Sequence, residues 1–349
     1  MLNFPGQIQP RMRCHLFIPA LLKPAASTNG LYENLSVPAL RTLLARATPA
    51  RESEADRESW LCHAFGAEKQ QDWPVAALTL AADGINPGAA YWLRADPVNL
   101  QVDRGQLLLM DSRAFPLVQN EADQFIRVLN SQFADRGYVF QAPHPQRWYL
   151  RLDKAPHLQT SPLDRVVGKN VDDFLPSGAD GLHWQGVCNE VQMLLHEHSL
   201  NQVREARDEL PINGVWLWGG GHLPMLSRKP FTQVWADEHL PRSLALASAI
   251  PWASLPPNAE KWLEQMPVQD EPLIVLDQLL RAALYHDSER WRSGVEELET
   301  SWFAPLLAAL KSGRVAAIII VADGSSFSIM RKDSWKWWRR SKPFAEYTH

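Results

Sequence analysis

Cysteine is scarce in this sequence, and no apolar run is long. Only three cysteines occur among the 349 residues, Cys14, Cys62 and Cys188, and no CxxC pair or Cys/His cluster with zinc spacing is present. Their number and separation indicate neither a disulfide framework nor a structural zinc site. The longest apolar run, 315–322, has eight residues, whereas a membrane-spanning helix needs roughly 20. We therefore predict separate thiols and no transmembrane helix.

An excess of one charge is also lacking. The chain has 35 Lys and Arg residues against 39 Asp and Glu residues, a formal net charge of -4. General nucleic-acid binding depends on clustered positive charge and is not indicated. The early apolar stretch 16–22 contains Pro19 and lacks a small-residue cleavage site, so it predicts a first strand rather than a signal peptide. Together with the lone thiols, this favours a cytoplasmic location.

Tryptophan is unusually abundant, with 15 residues against 12 Phe and 6 Tyr. Most of these tryptophans fall in predicted strands or helices, which indicates large core side chains whose indole N–H groups each need an acceptor. They are Trp92, Trp148, Trp216 and Trp218 in strands, and Trp60, Trp184, Trp291 and Trp302 in helices. Only Trp335, Trp337 and Trp338, near the C-terminus, suggest recognition instead.

Short apolar segments alternate with helical patterns along the chain, which predicts an α/β fold with a mostly parallel or mixed central sheet and helices on both faces. The continuous apolar runs 107–110 and 316–321 indicate central strands covered on both faces. The predicted strands are 14–18, 91–94, 107–110, 138–141, 148–152, 215–218, 234–236, 274–276 and 315–321. The predicted helices are 39–47, a segment from Ser53 to 65–66, 121–133, 181–198 and 288–303.

The composition does not shift between the two parts of the chain. We therefore expect a single α/β domain in two halves, about 1–155 and 178–349. A polar connection at 156–177, which contains Pro156, Pro162 and Pro176, would join them.

A predicted buried strand at 212–218 runs directly into Gly219, Gly220, Gly221 and His222. In open α/β sheets, ligands bind beyond the carboxyl ends of strands, and consecutive backbone N–H groups there can bind an anion. One interpretation is a small-molecule or phosphate pocket with His222 at its mouth. The other is a tight turn that requires positive φ. The sequence supports both equally.

Three polar residues, Asn189, Gln192 and His196, share one face of the predicted helix 181–198. His196 and His198 are two residues apart and point about 200° away from each other, so they do not form a metal pair on a helix. A buried polar network between helix and strand is favoured over ligand contact for the three.

Arg94 and Asp96 lie two residues apart at the end of a predicted strand, on one side of its pleat. They are candidate ligand residues, because Arg binds a carboxylate or phosphate in bidentate fashion. We favour instead a mutual ion pair that anchors the bend at Pro97. The Asp323-Gly324 dipeptide predicts a hairpin turn.

The C-terminal stretch 331–342 is basic and aromatic, with the sequence RKDSWKWWRRSK. Arg and stacked Trp can bind single-stranded nucleic acid or an anionic surface. A terminal element docked by its tryptophans, with solvated Lys and Arg outside, is the favoured interpretation.

Five stretches carry a resemblance to a known family. The chain resembles the RpfE-type regulatory proteins of proteobacteria, a phosphoglycerate-mutase-like group. The matching stretches are YWLRADPVNL (91–100), RWYLRL (147–152), NEVQMLLHEHSLNQVRE (189–205), INGVWLWGGG (212–221) and DSWKWWRR (333–340). The resemblance implies an alkaline-phosphatase-like α/β fold, in which two metal ions and a Ser nucleophile carry phosphoryl transfer. That catalytic set does not map here, since the first strand runs into Pro19 and Ala20 without a metal-binding Asp.

We therefore expect a non-catalytic or regulatory protein on a phosphomutase-like scaffold. It would bind a small phosphorylated or anionic ligand, and a protein partner, without a cofactor. The alternative is a metal-dependent phosphoglycerate mutase-like or phosphatase enzyme that acts on a small phosphorylated metabolite and needs a divalent metal.

Overall fold

The computed structural model describes residues 12–22, 31–54, 56–266, 270–336, 338–339 and 341–347. The chain divides into two compact units. Unit 1 comprises Met1–Trp60 and Arg228–His349, and unit 2 comprises Leu61–Ser227. The connection 156–177, which our prediction placed between two halves, lies inside unit 2. The three thiols are separate, as expected. None of the helices in the described ranges combines the length and hydropathy that a membrane span requires.

The described residues form twelve strands and twelve α-helices. The strands are β1 (Arg13–Phe17), β2 (Thr48–Arg51), β3 (Tyr91–Asp103), β4 (Gln106–Asp111), β5 (Val139–His144), β6 (Arg147–Leu152), β7 (Gly214–Gly221), β8 (Val234–Trp235), β9 (Trp252–Ala253), β10 (Leu273–Val275), β11 (Ala317–Ala322) and β12 (Ser325–Met330). The helices are α1 (Pro38–Arg46), α2 (Arg57–Ala64), α3 (Val75–Ala82), α4 (Gln119–Phe133), α5 (Leu163–Val166), α6 (Gly181–His196), α7 (Ser199–Glu205), α8 (His239–Ala247), α9 (Ala259–Gln265), α10 (Leu280–Leu284), α11 (Ser288–Leu298) and α12 (Ala304–Ser312). A π-helical segment, Glu299–Phe303, joins α11 to α12.

Unit 1 contains a mixed seven-stranded sheet with the order β2-β12-β11-β1-β10-β8-β9. The strands β11, β1, β10, β8 and β9 run parallel to one another. β12 is antiparallel to β11 through the hairpin predicted at Asp323-Gly324, and β2 is antiparallel to β12. The predicted mixed α/β fold is confirmed.

Alternate residues of β1 face opposite layers of unit 1. Leu16 joins a core built with α1, α9, α11 and α12. Phe17 faces the other way and stacks on Trp60, with ring centroids 4.4 Å apart. Trp291 and Trp302 are fully buried, which confirms the predicted role of tryptophan as a core side chain.

Not every buried indole has the acceptor that we expected. The Nε1 of Trp291 donates to the carbonyl of Ala20 at 2.8 Å. Within the described residues, the indole N–H groups of Trp235 and Trp262 find no acceptor. For these two side chains, apolar packing alone accounts for the burial.

Unit 2 is built around the long strand β3, in an antiparallel sheet of five strands. β7 pairs along one edge of β3, while β6 and β4 pair with successive parts of it. Leu93 faces a core formed with α4 and α6, and Trp92 faces α3. The prediction that 107–110 is a central strand is wrong. β4 is an edge strand with half-buried residues, because β3 is its one neighbour in the sheet order.

The most buried charge in unit 2 belongs to Arg204 of α7, whose side chain has no exposed area. Its Nη1 donates to Oε2 of Glu121 at 2.6 Å. Its other nitrogens donate to the carbonyls of Leu210 at 2.9 Å and Pro116 at 2.8 Å. A buried guanidinium with these partners fixes α7 against α4 and against the segment that leads into β7.

Replacement of Arg204 by Met should destabilise unit 2 by about 3–5 kcal/mol, because it leaves the buried carboxylate of Glu121 without its main partner. Arg136→Met is the matched control, since Arg136 and Glu190 form an exposed pair at 2.8 Å. Its loss should leave the free energy of unfolding nearly unchanged, because water screens an exposed pair. Urea denaturation of both variants measures the difference, and equal effects would contradict this account of the buried pair.

Candidate functional site

The three consecutive glycines form the buried end of β7. Gly219 has a φ of 65°, which favours glycine. A Cβ on Gly221 would lie 2.6 Å from Cβ of Pro74, and a Cβ on Gly220 would collide with the hydroxyl of Tyr91. The absence of side chains therefore lets β7 lie directly against the residues that precede α3.

Two of the glycine amides already have acceptors within unit 2. The N–H of Gly219 donates to Oγ1 of Thr160 at 3.2 Å. The N–H of Gly220 donates to the carboxylate of Asp72, which also accepts from the Thr160 hydroxyl at 2.5 Å. Burial raises the pKa of Asp72, and the hydrogen bonds from Thr160 and Gly220 oppose that rise. The chain's own carboxylate thus occupies the place that the sequence suggested for a bound anion.

His222 lies exposed just after β7. Its backbone N–H donates to Oε1 of Gln70 at 3.0 Å, and its carbonyl accepts from Nε2 of the same side chain at 2.9 Å. The imidazole packs edge-on against Tyr91, with centroids 5.3 Å apart. Burial raises the pKa of Tyr91, whose hydroxyl has no hydrogen-bond partner among the described residues.

The polar face of α6 points to solvent. Asn189 and His196 are exposed, and Gln192 is half-buried. The interpretation of a buried network at these residues is wrong, because α6 packs through the opposite face, with Trp184, Val187, Val191 and Leu195. The structure does not bring the three residues to the glycine run.

The buried polar network lies one helix later, on α7. Nδ2 of Asn201 donates to the carbonyls of Leu195 at 2.6 Å and Ile212 at 2.9 Å. Its Oδ1 accepts from the Ile212 N–H at 2.8 Å. Asn201 therefore ties the end of α6 to the residues that precede β7.

Arg94 and Asp96 form the mutual ion pair that we favoured. Two guanidinium nitrogens donate to one carboxylate oxygen of Asp96, at 3.1 and 2.6 Å, and both residues are buried. Nε1 of Trp218 donates to the other carboxylate oxygen at 2.7 Å. The guanidinium lies 5.2 Å from the ring centre of Tyr149. Both charges are therefore compensated within the sheet and beneath α3.

The C-terminal segment does not dock through its tryptophans as we expected. Trp335 and Trp338 are 66% and 63% exposed, while Phe344 is buried. Trp337 and Arg340 lie outside the described residues. Phe344 packs against Tyr32, with ring centroids 5.9 Å apart, and so provides an apolar anchor for the segment.

A group of acidic residues that we did not predict from the sequence lies at the carboxyl ends of the parallel strands of unit 1. Asp237, Asp277 and Asp323 each follow a strand, namely β8, β10 and β11, within two residues. This edge is the usual ligand-binding position in α/β sheets. The sequence contains an indication of this region, because an acidic residue one or two positions after a buried strand is visible there.

Two of these three acids hold turns together. Asp323 accepts from the backbone N–H groups of Ala20 at 3.0 Å and Leu22 at 2.7 Å. Asp237 accepts from the N–H of Leu255 at 3.0 Å. Their oxygens stabilise the loops that follow β1 and β9.

Asp277 belongs to a group that we term the strand-end cluster, formed by Arg57, Glu58, Glu238 and Asp277. Arg57 contacts Glu58 at 2.8 Å and Glu238 at 3.3 Å. Burial, followed by the neighbouring Glu238 carboxyl, raises the pKa of Asp277 to about 7. A carboxyl with such a pKa takes up and releases a proton near neutral pH.

The donor set does not fit the two-metal centre that the family resemblance implies. A guanidinium has no lone pair to give to a metal ion, and Arg57 binds two of the carboxylates at this edge. The residues that follow β1 are Ile18, Pro19 and Ala20, which have no ligating side chain. Throughout the described part of the chain, no group of three or more His, Cys, Asp and Glu residues could hold a metal ion.

No protein-family model matches the sequence. A 2,3-bisphosphoglycerate-independent phosphoglycerate mutase of Methanosarcina acetivorans is 26% identical over 156 residues, which cover 43% of this chain and 36% of that protein. A probable enzyme of the same name from Geobacter sulfurreducens is 26% identical over 153 residues, 43% of this chain and 38% of that protein. The chain is similar to phosphoglycerate mutases. It spans little more than a third of the length of these curated relatives.

A solved structure shares the fold. The PH0037 protein of Pyrococcus horikoshii aligns with a TM-score of 0.57 at 12% identity, over 97% of this chain and 92% of that protein. The phosphoglycerate-mutase-like part of the resemblance is thus supported by sequence relatives, and the α/β fold by structure.

A Gly221→Ala substitution tests whether the glycine run serves packing. The added methyl group would meet Pro74 and should destabilise unit 2 by about 2–3 kcal/mol. Gly186→Ala on α6 is the control, since its Cβ would meet nothing within 4 Å. That variant should be more stable by about 0.5–1 kcal/mol. Chemical denaturation reports both, and a Gly221→Ala protein of unchanged stability would contradict the packing role.

An Asp277→Asn substitution should alter how stability depends on pH. Because the folded-state pKa of Asp277 lies near 7, above the ordinary value of 3.8, its stabilising contribution is complete below about pH 4 and is lost as the pH rises through 7. Relative to the unmodified protein, the variant should gain roughly 2 kcal/mol of stability between pH 5 and 8, a figure reduced for partial exposure.

Denaturation midpoints across this pH range measure the effect. Glu264→Gln is the matched control, since Glu264 is 58% exposed in a pair with Lys261. Identical pH profiles for Asp277→Asn and the unmodified protein would show that the carboxyl titrates at its ordinary pKa.

Proposed function

We propose that the protein is a non-catalytic, regulatory protein on a phosphomutase-like scaffold, as the RpfE-type resemblance implies. The observation that carries this proposal is the strand-end cluster. At the edge where α/β sheets bind their ligands, Arg57 places a fixed positive charge against the carboxylates of Glu58 and Glu238, where it opposes a metal ion.

Electrostatics supports the proposal. Glu58 is 2% exposed and lies 2.8 Å from a guanidinium that stays protonated at any physiological pH. A divalent cation placed among these carboxylates would lie next to a fixed positive charge and would have to displace two ion pairs. Both effects oppose metal binding.

In this proposal the protein binds a small phosphorylated or anionic ligand and a protein partner. We propose that the ligand binds away from the glycine run, because the amides of Gly219 and Gly220 donate to Thr160 and Asp72. The ion pair of Arg94 and Asp96 is likewise complete within unit 2.

The second candidate is a metal-dependent phosphoglycerate mutase-like isomerase or phosphohydrolase. The names of the sequence relatives favour it, although the aligned region covers little more than a third of each relative.

An Arg57→Ala variant separates the two candidates. We expect the unmodified protein to carry no stoichiometric metal and to show no turnover of 3-phosphoglycerate or of a phosphomonoester when Mn²⁺ is added. Removal of the guanidinium takes away the positive charge next to Glu58 and Glu238, so Mn²⁺ should bind the variant at least about tenfold more tightly and raise its thermal midpoint. Calorimetry and thermal denaturation with Mn²⁺ measure these effects.

Arg136→Ala, which removes an exposed ion pair in unit 2, should leave Mn²⁺ affinity unchanged. Stoichiometric Mn or Zn in the unmodified protein, with turnover abolished by a chelator, would overturn the proposal and establish the enzyme alternative. Equal Mn²⁺ affinity of Arg57→Ala and the unmodified protein would contradict the role given to Arg57.

A further inference from the structure

Unit 1 contains a cavity of about 640 Å³ that belongs to neither region described above. It lies between the C-terminal end of α1, the β2–β12 edge of the sheet and the C-terminal segment. Its volume is in the range of pockets that hold small organic ligands, about 300–1,000 Å³. Leu44, Ala47 and Phe327 contribute buried apolar surface to its wall. The cavity can therefore take the apolar body of a ligand.

The wall also carries three cations against one carboxylate, that of Glu346. Arg51 and Arg339 both line the cavity, and among the described residues neither contacts a carboxylate. The third cation, Lys342, pairs with Glu346 at 3.4 Å. Two guanidinium groups thus remain for an anion to bind.

Arg339 is held in place by the backbone. Its Nη1 donates to the carbonyls of Ala47 at 3.0 Å and Arg46 at 3.4 Å, at the C-terminal end of α1. A guanidinium has five N–H donors in a planar fork. With Nη1 anchored, the Nε and Nη2 donors of Arg339 can form charge-assisted hydrogen bonds with a ligand carboxylate.

Tyr347 supplies a further polar atom. Its hydroxyl is buried, and it has no hydrogen-bond partner among the described residues. The ring packs edge-on against Phe327, with centroids 6.3 Å apart, and both residues line the cavity. A buried polar atom without a partner is unfavourable, and a ligand oxygen in the cavity would satisfy it.

We propose that this cavity binds a small organic anion with a flat apolar body and a single carboxylate. Arg51 and Arg339 bind the carboxylate, and the wall formed by Leu44, Ala47 and Phe327 contacts the apolar body. The Tyr347 hydroxyl donates to a ligand oxygen. The inorganic phosphate ion lacks the apolar part and so fits less well. The biological role of the site rests on the proposed function, but its occupancy does not, because binding is measured without metal or mutase substrate.

Calorimetric titration of the full chain with naphthalene-2-carboxylate tests the proposal. We expect saturable binding of one molecule per chain. Arg51→Gln and Arg339→Gln should each weaken it about tenfold, because each removes a charge-assisted hydrogen bond. Tyr347→Phe should weaken it several-fold. Naphthalene-2-carboxamide should bind at least about tenfold more weakly than the carboxylate, and inorganic phosphate should not compete at millimolar concentration.

Lys261→Gln is the control, since Lys261 is an exposed cation elsewhere in unit 1 and its loss should leave the affinity unchanged. Ala50→Trp places a large side chain on an exposed strand position at the cavity and should block binding. Equal affinity for the carboxylate and the amide, or no loss of affinity in either arginine variant, would overturn the proposal. Absence of saturable binding would also overturn it, whatever the outcome of the metal and turnover assays.

Discussion

A charge that is removed from water needs an opposite charge or hydrogen-bond partners. Within each unit, this constraint governs where the buried charges lie. Arg57, Arg94 and Arg204 are each largely buried, and each contacts at least one carboxylate. Their charge is therefore used within the chain rather than offered to a ligand. The arginines that line the cavity of unit 1 differ in this respect, because no carboxylate of the described chain compensates them. Ligand binding follows from the charges that the fold leaves uncompensated.

The glycine run shows the same constraint for backbone donors. Gly219 and Gly220 lack side chains and lie at the end of a strand, which suits an anion site. Their N–H groups nevertheless donate to Thr160 and Asp72. Thr160 lies 59 residues before Gly219 in the chain. A glycine-rich strand end has the same sequence pattern whether a ligand or a distant side chain accepts its hydrogen bonds. Tertiary structure decides between the two interpretations.

Much of the secondary structure could be predicted from the sequence, because buried strands and amphipathic helices leave long periodic patterns. The helix 181–198 was predicted to within two residues of α6. The role of its polar face was not predicted, since Asn189 and His196 have the same spacing whether they face solvent or a buried network. The strand-end cluster was missed for a related reason: Arg57 lies 181 residues from Glu238, and no local pattern joins them.

The scaffold itself favours such a cluster. Parallel strands bring their carboxyl ends to one edge, so acids that follow those strands are placed near one another whatever the protein does. Like charges a few ångströms apart repel strongly in a partly buried site, and the repulsion is relieved by a cation or by protonation. Here Arg57 supplies the cation, and Asp277 holds a proton up to about pH 7. Because this positive charge is part of the chain, the fold itself places it against the carboxylates of Glu58 and Glu238.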